Sequence, residues 1–158
     1  MWSSEVTNMI ITGIWETLYM TLVSTLVGYV IGLPMGIILT VSDKDGIKPN
    51  AVLYKILDVI ANIVRSVPFI ILLVLLIPFT RLVVGKSYGS TATIVPLVIA
   101  AAPYIARMVE SSLKEVDAGV IEAARSMGAS NFTIITKVML VEARTSLLVG
   151  ATITLGTI

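Results

Sequence analysis

Few side chains in this sequence have the types and spacing to do chemistry, and the two strings that come nearest fail on their neighbours. Gly85-Lys86-Ser87 carries the closing residues of a phosphate-cradling loop, and Asp43-Lys44-Asp45-Gly46 the opening of a calcium loop. A phosphate loop needs another glycine five residues before Gly85, and position 80 is Thr80. The acidic string lacks the later oxygen ligands and reads as a turn. The chain has no cysteine and no histidine. That removes disulfide and thiol chemistry, most zinc sites and the usual general base. Asp58 is the lone carboxylate near the interior of an apolar segment, close to one end, so a membrane enzyme with a convergent acid–base pair is the weakest reading. No catalytic residue, no metal site and no cofactor on this chain are expected.

The residues with most to say about function do mechanical rather than bond-making work. Asp117 is placed to cap a helix opening at Ala118, its carboxylate taking the orphan amides of the first turn. Val120, Ile121, Ala124 and Met127 then recur at helical spacing along one face, with Glu122 and Arg125 pointing elsewhere. Gly128 is placed to end that helix in the left-handed conformation. Ser130 is placed to cap a second helix bearing Phe132, Ile135, Val138 and Met139 on its apolar side. Two short helices meeting at a glycine make a knob with an apolar face, which needs a protein groove or a lipid headgroup layer to cover it.

The elements that must carry this knob are membrane spans. The chain is 56% hydrophobic and 13% charged, with a mean hydropathy of +0.98 and a net charge of +1. Such a balance excludes a nucleic-acid partner, which would need a basic stripe. A bilayer core takes about 20 mostly apolar helical residues. Spans are predicted at 17–42, 57–80 and 93–107, with a shorter apolar stretch at 145–158 and a loop at 108–144 between the last two. The stretch from Thr145 is too short to cross comfortably. It is expected to be a fourth helix cut off partway, which makes the chain a shortened form unable to complete a pathway alone. Met1-Trp2-Ser3-Ser4-Glu5 lacks the basic start of a cleavable signal, so the first span is expected to be retained.

Lysine and arginine set the orientation. The loops at 43–56 and 107–144 together hold Lys44, Lys48, Lys55, Arg107, Lys114, Arg125, Lys137 and Arg144, against Arg81 and Lys86 on the other side. The positive-inside rule then puts both larger loops in the cytoplasm and the amino terminus outside. Trp2, Trp15, Tyr19 and Tyr54 fall near expected span ends, as interfacial aromatics do. Gly28, Gly32 and Gly36 recur every four residues, the pattern that lets another helix approach closely, and Pro34 adds an expected kink. Arg65 within a span costs at least ~2.5 kcal/mol at the bilayer centre, so it is expected to face protein, water or the near interface. Pro68 three residues on is expected to kink the helix.

Glu122-Ala123-Ala124, then three residues, then Gly128, with Val138 and Leu140 further on, resembles the EAA loop of bacterial ABC-importer permeases. Val141 stands where that motif carries proline. Arg65-Ser66-Val67-Pro68-Phe69-Ile70-Ile71-Leu72-Leu73 and the run from Ile94 through Pro103-Tyr104 to Arg107 resemble the second and third spans of amino-acid permeases of the methionine branch. The resemblance covers essentially the whole chain. It implies an all-α integral membrane fold, a polytopic helix bundle forming one permease domain over 1–158, with a cytoplasmic coupling-helix loop.

What it implies for function is the membrane subunit of an ATP-driven importer in a bacterial inner membrane, most directly for methionine, with a permease for another amino acid or small peptide as the alternative and a channel or scaffold without an ATPase further off. The implied partners are a second copy of the chain, separate ATPase subunits that hold ATP and magnesium, an external solute-binding lipoprotein and membrane lipid. Glu122, Ala123, Ala124, Arg125, Met127 and Gly128 would then couple to the ATPase. Gly28, Gly32, Gly36, Arg65, Pro68 and Pro103 would serve helix packing and the translocation path.

Overall fold

The computed structural model describes residues 3–158, so Trp2 lies outside it. Among the described residues all regular structure is helical. Helix α1 runs from Ser4 to Ser42, opened by the Ser3 hydroxyl and continuing unbroken through Pro34. A tight loop follows, in which Gly46 N donates to Asp43 O (2.8 Å) and Asn50 N to Ser42 O (2.9 Å). Asn50 then caps α2, Ala51–Ser66.

The single span expected at 57–80 is drawn differently. Helix α2 stops at Ser66, and α3 (Phe69–Leu75) leaves it at 104°. The cause is local. Pro68 offers no amide, and its ring drives Val67 out of the helical region to φ −82°, ψ 123°. Helix α4, Ile77–Val84, follows after Leu76 and ends at Gly85 in the left-handed conformation. Helix α5 is longer than the expected 93–107, spanning Ser90–Lys114 with Pro96 and Pro103 inside it. The loop expected from 108 therefore begins only at Glu115.

The remaining helices are α6 (Ala118–Ser126), α7 (Asn131–Glu142) and α8 (Arg144–Thr157), the last two meeting at 68°. Helices α1 and α5 are each long and apolar enough to cross a membrane, and the bent pairs α2–α3 and α7–α8 each qualify if counted as one span.

The centre of the bundle is the α1–α5 contact. Gly28, Gly32 and Gly36 are all buried against α5, where a methyl at Gly32 would lie 2.7 Å from Ala102 O and one at Gly36 2.6 Å from Ala106 O. The core continues down α5 through Ile105, Val109 and Leu113, then takes in Ala124, Ile134 and Met139 from below. Most of α1's outer face stays uncovered, including Trp15 at 71% exposure, as suits a helix whose solvent is hydrocarbon.

Candidate functional site

The knob at 117–142 is built by local capping. Asp117 accepts from Gly119 N at 2.6 Å and starts α6. At the other end Gly128 takes φ +81°, where its amide donates to Arg125 O (3.0 Å) and that of Ala129 to Ala124 O (3.1 Å). This pair of bonds satisfies the last carbonyls of α6 and turns the chain sharply. Ser130 then accepts from Thr133 N at 3.2 Å and opens α7.

The two apolar faces are not those expected. Ala124 is buried and Ile121 half-buried against α5 and α7, but Val120 is exposed and Met127, at the helix cap, is 83% exposed. In α7 the turn Ile134–Met139 is widened, with Leu140 N donating to Ile135 O. Residues five apart then share a face. Ile134 and Met139 go inward together, and Phe132 is left 75% exposed. The outcome is a knob whose inner side is welded to the bundle. Ala123, Met127 and Phe132 are left exposed on the knob, and Glu122 is exposed at the mouth of the cavity it shares with the loop between α1 and α2.

The knob is also tethered. Arg125 donates to Ile47 O at 3.2 Å, reaching the loop between α1 and α2. Between them lies a cavity of about 610 Å³ lined by Asp43, Ile47, Lys114, Glu122 and Arg125 among others. Lys114 is 2.7 Å from Asp43, and its ammonium holds the Asp43 carboxyl below the usual carboxylate range.

A second cavity, about 460 Å³, lies where α2 breaks. Arg65, Phe69, Leu72, Ala101 and Tyr104 line it together with Thr157. Arg65 is exposed and sits at this wall with no ion-pair partner among the described residues. Pro103 is buried one helical position from Tyr104. The structure thus splits the candidate residues into three places: the glycines at the α1–α5 seam, Arg65 and Pro68 at the break, and Glu122 to Gly128 on the knob.

Sequence reasoning missed a polar cluster between α2 and α5. Tyr54, expected at a membrane interface, donates to Glu110 Oε1 at 3.1 Å, and Arg107 bonds Asp58, Glu110 and Asn62. The signal was present as two matching stripes, Tyr54/Asp58/Asn62 and Arg107/Glu110/Lys114, each on one helix face.

Residues 28–158 match the family described as binding-protein-dependent transport system inner membrane component. The chain belongs to this family. Among its curated members, the D-methionine transport system permease protein MetI of Salmonella typhimurium is 54% identical over 95% of this chain and 69% of its own length. The methionine import system permease protein MetP of Bacillus subtilis is 47% identical over 98% of this chain and 71% of its own. A solved structure, described as an inward-facing conformation of the MetNI methionine ABC transporter, superposes with a TM-score of 0.96 at 52% identity, covering 99% of this chain and 72% of that one. As a member of an inner-membrane component family, this chain is membrane-bound, with α1 and α5 long and apolar enough to span the bilayer.

Proposed function

We propose that this chain is the permease subunit of an ATP-driven importer of methionine, forming the translocation path and coupling it to separate ATPase subunits through α6. The observation that carries the reading is the knob itself. It is a helix fixed to the bundle by Ala124 and Arg125, ended by a left-handed glycine, with Glu122, Ala123, Met127 and Phe132 left exposed. A face of that kind fits a groove on a partner protein. The substrate is supported by relatives named for methionine transport at 54% and 47% identity.

The partner ATPase holds ATP and magnesium, and this chain supplies the surface that feels its closure. A ligand-driven change is transmitted only if the contact surface fits two states unequally. Glu122 and the bend at Gly128 carry that difference. The eight basic residues at 43–56 and 107–144, against Arg81 and Lys86 between them, support a cytoplasmic α6 and an external amino terminus. A second copy of the chain and an external solute-binding lipoprotein complete the assembly. The bend before Pro68 and the cavity beside Arg65 and Tyr104 belong to the path between the two copies. Residues 1–158 act as one permease domain.

The test is uptake of labelled L-methionine by cells carrying the intact operon, competed by a panel of amino acids including D-methionine. ATP-dependent uptake blocked mainly by methionine is expected. Uptake blocked by another amino acid overturns the substrate, and absence of both uptake and a bound ATPase overturns the importer.

A further inference from the structure

An ion cluster joins α1, α2 and α5 at the end of the bundle nearest the knob, and its centre is Glu110. This residue is 4% exposed. One carboxylate oxygen accepts from Arg107 at 2.8 Å, and the other from Lys114 at 2.8 Å and from the Tyr54 hydroxyl at 3.1 Å. Both cations reach onward. Lys114 is 2.7 Å from Asp43, which closes α1, and Arg107 pairs with Asp58 on α2. Asn62, 3.2 Å from Arg107, sits one turn before Arg65 and the break in α2. The loop that begins at Asp43 also holds Ile47, whose carbonyl takes Arg125 of the knob. Polar contacts, joined by the short loop from Asp43 to Ile47, therefore link α6 to Asn62, one turn before the bend.

Such a cluster is a poor source of stability, because desolvation of each buried charge offsets most of its attraction. What it supplies is registry. In this arrangement every charge of the cluster has a partner, and sliding α2 past α5 would strip Tyr54 from Glu110, which is shielded from water. The partners of Glu110 come from α5 and α2, Arg107 adds a second tie to α2, and Lys114 reaches the end of α1.

We propose that Glu110 is a positioning residue, the hub of an ion-pair relay that makes the loop at 43–50, α2 and α5 move as one body with the coupling helix. Displacement of α6 then reaches the break before Pro68 instead of being absorbed in the loop. This inference rests on the importer reading above and deepens it.

The test uses the intact permease with its ATPase and binding protein in liposomes, reading labelled L-methionine moved per ATP hydrolysed. In Glu110→Gln the ratio is expected to fall at least tenfold. A purely structural role lowers transport and hydrolysis in proportion and leaves the ratio unchanged, which overturns the relay. Where Glu110→Gln fails to assemble, the exposed end of the cluster decides. Asp43→Ala removes the acceptor of Lys114 at the end of α1 without touching Glu110 and should lower the ratio, while Asp43→Glu, which keeps the charge, should retain more than half of it. Equal ratios in these two variants sink the proposal. The wild-type arm stands apart: ATP hydrolysis without methionine movement refutes the substrate, and the ratio is then read with the solute that does move.

Discussion

Arg125 on α6 lies 3.2 Å from the carbonyl oxygen of Ile47, in a loop 78 residues earlier. The knob is therefore held from two sides, by the apolar contact of Ala124 inside the bundle and by one charged donor across the cavity. The loop that receives it is itself closed by backbone bonds from Gly46, Lys48 and Asn50. Arg125→Ala should loosen this loop with little effect on the helices. A hydrogen bond from an exposed charged donor contributes at most about 1 kcal/mol, or roughly fivefold in a local opening equilibrium. Hydrogen exchange at the amides of Lys48 and Asn50 is expected to quicken by about that factor. Unchanged exchange would mean the contact does not hold the loop.

Gly28 and Gly36 share a face of α1 but differ in what a side chain would meet. A methyl at Gly36 would sit 2.6 Å from both Ala106 O and the Cβ of Val109, while at Gly28 the nearest atom is the flexible Cδ1 of Ile105 at 3.0 Å. Backbone and Cβ atoms cannot yield as a side-chain end can. Gly36→Ala should destabilise the folded permease by about 1–3 kcal/mol through overpacking. Gly28→Ala should be close to neutral, since alanine gains about 1 kcal/mol of helix propensity over glycine. Thermal unfolding of the two variants in the same detergent checks the order. Equal losses would show that the seam tolerates no side chain anywhere.

Gly128 has open space around it, so the constraint there is conformational. Its φ of +81° costs an ordinary residue about 1–2 kcal/mol, and a β-branched one more. Gly128→Val should re-aim α7 and abolish co-purification of the ATPase. Gly128→Asn, whose side chain tolerates this region, should retain most of it. Equal retention by both variants would remove the bend from the coupling role.

The pair Asp43–Lys114 makes one pH-dependent contribution at the end of α1. Lys114 is the main cause of the lowered Asp43 value, followed among the favourable contacts by the amide of Lys44 at 2.8 Å. With the folded pKa below the unfolded one, the pair stabilises fully above the ordinary carboxylate range. That contribution is lost as pH falls through the lowered value. Both side chains are partly exposed, so it is below about 1 kcal/mol and weakens with salt. Asp43→Asn should melt slightly lower than wild type at neutral pH, and the difference should vanish in acid. A gap that persists in acid would place the effect in packing.

How much of this site was legible depends on how far apart the interacting residues lie. The caps of the knob involve Asp117 with Gly119, Gly128 with Arg125, and Ser130 with Thr133, all within one turn, so residue type and spacing fix them. The break at Pro68 is equally local, but its angle is not. A missing amide says that the helix is interrupted, and the packing of α3 against α5 decides that it turns by 104°.

By itself the sequence determined the solvent and the short-range geometry: apolar helices for a bilayer, a glycine face on α1, and a capped, glycine-bent knob among basic loops. These follow from composition and from contacts a few residues apart. Only the tertiary structure decided that Ile134 and Met139 turn inward while Phe132 turns out, because the wide turn of α7 forms where it meets the core. The same holds for the pairing of the stripe Tyr54/Asp58/Asn62 with Arg107/Glu110/Lys114. Each stripe was written in its own helix, but which charges meet depends on how the broken segment from Val67 to Gly89 leads α2 back beside α5. Periodicity within a helix carries no information about that path.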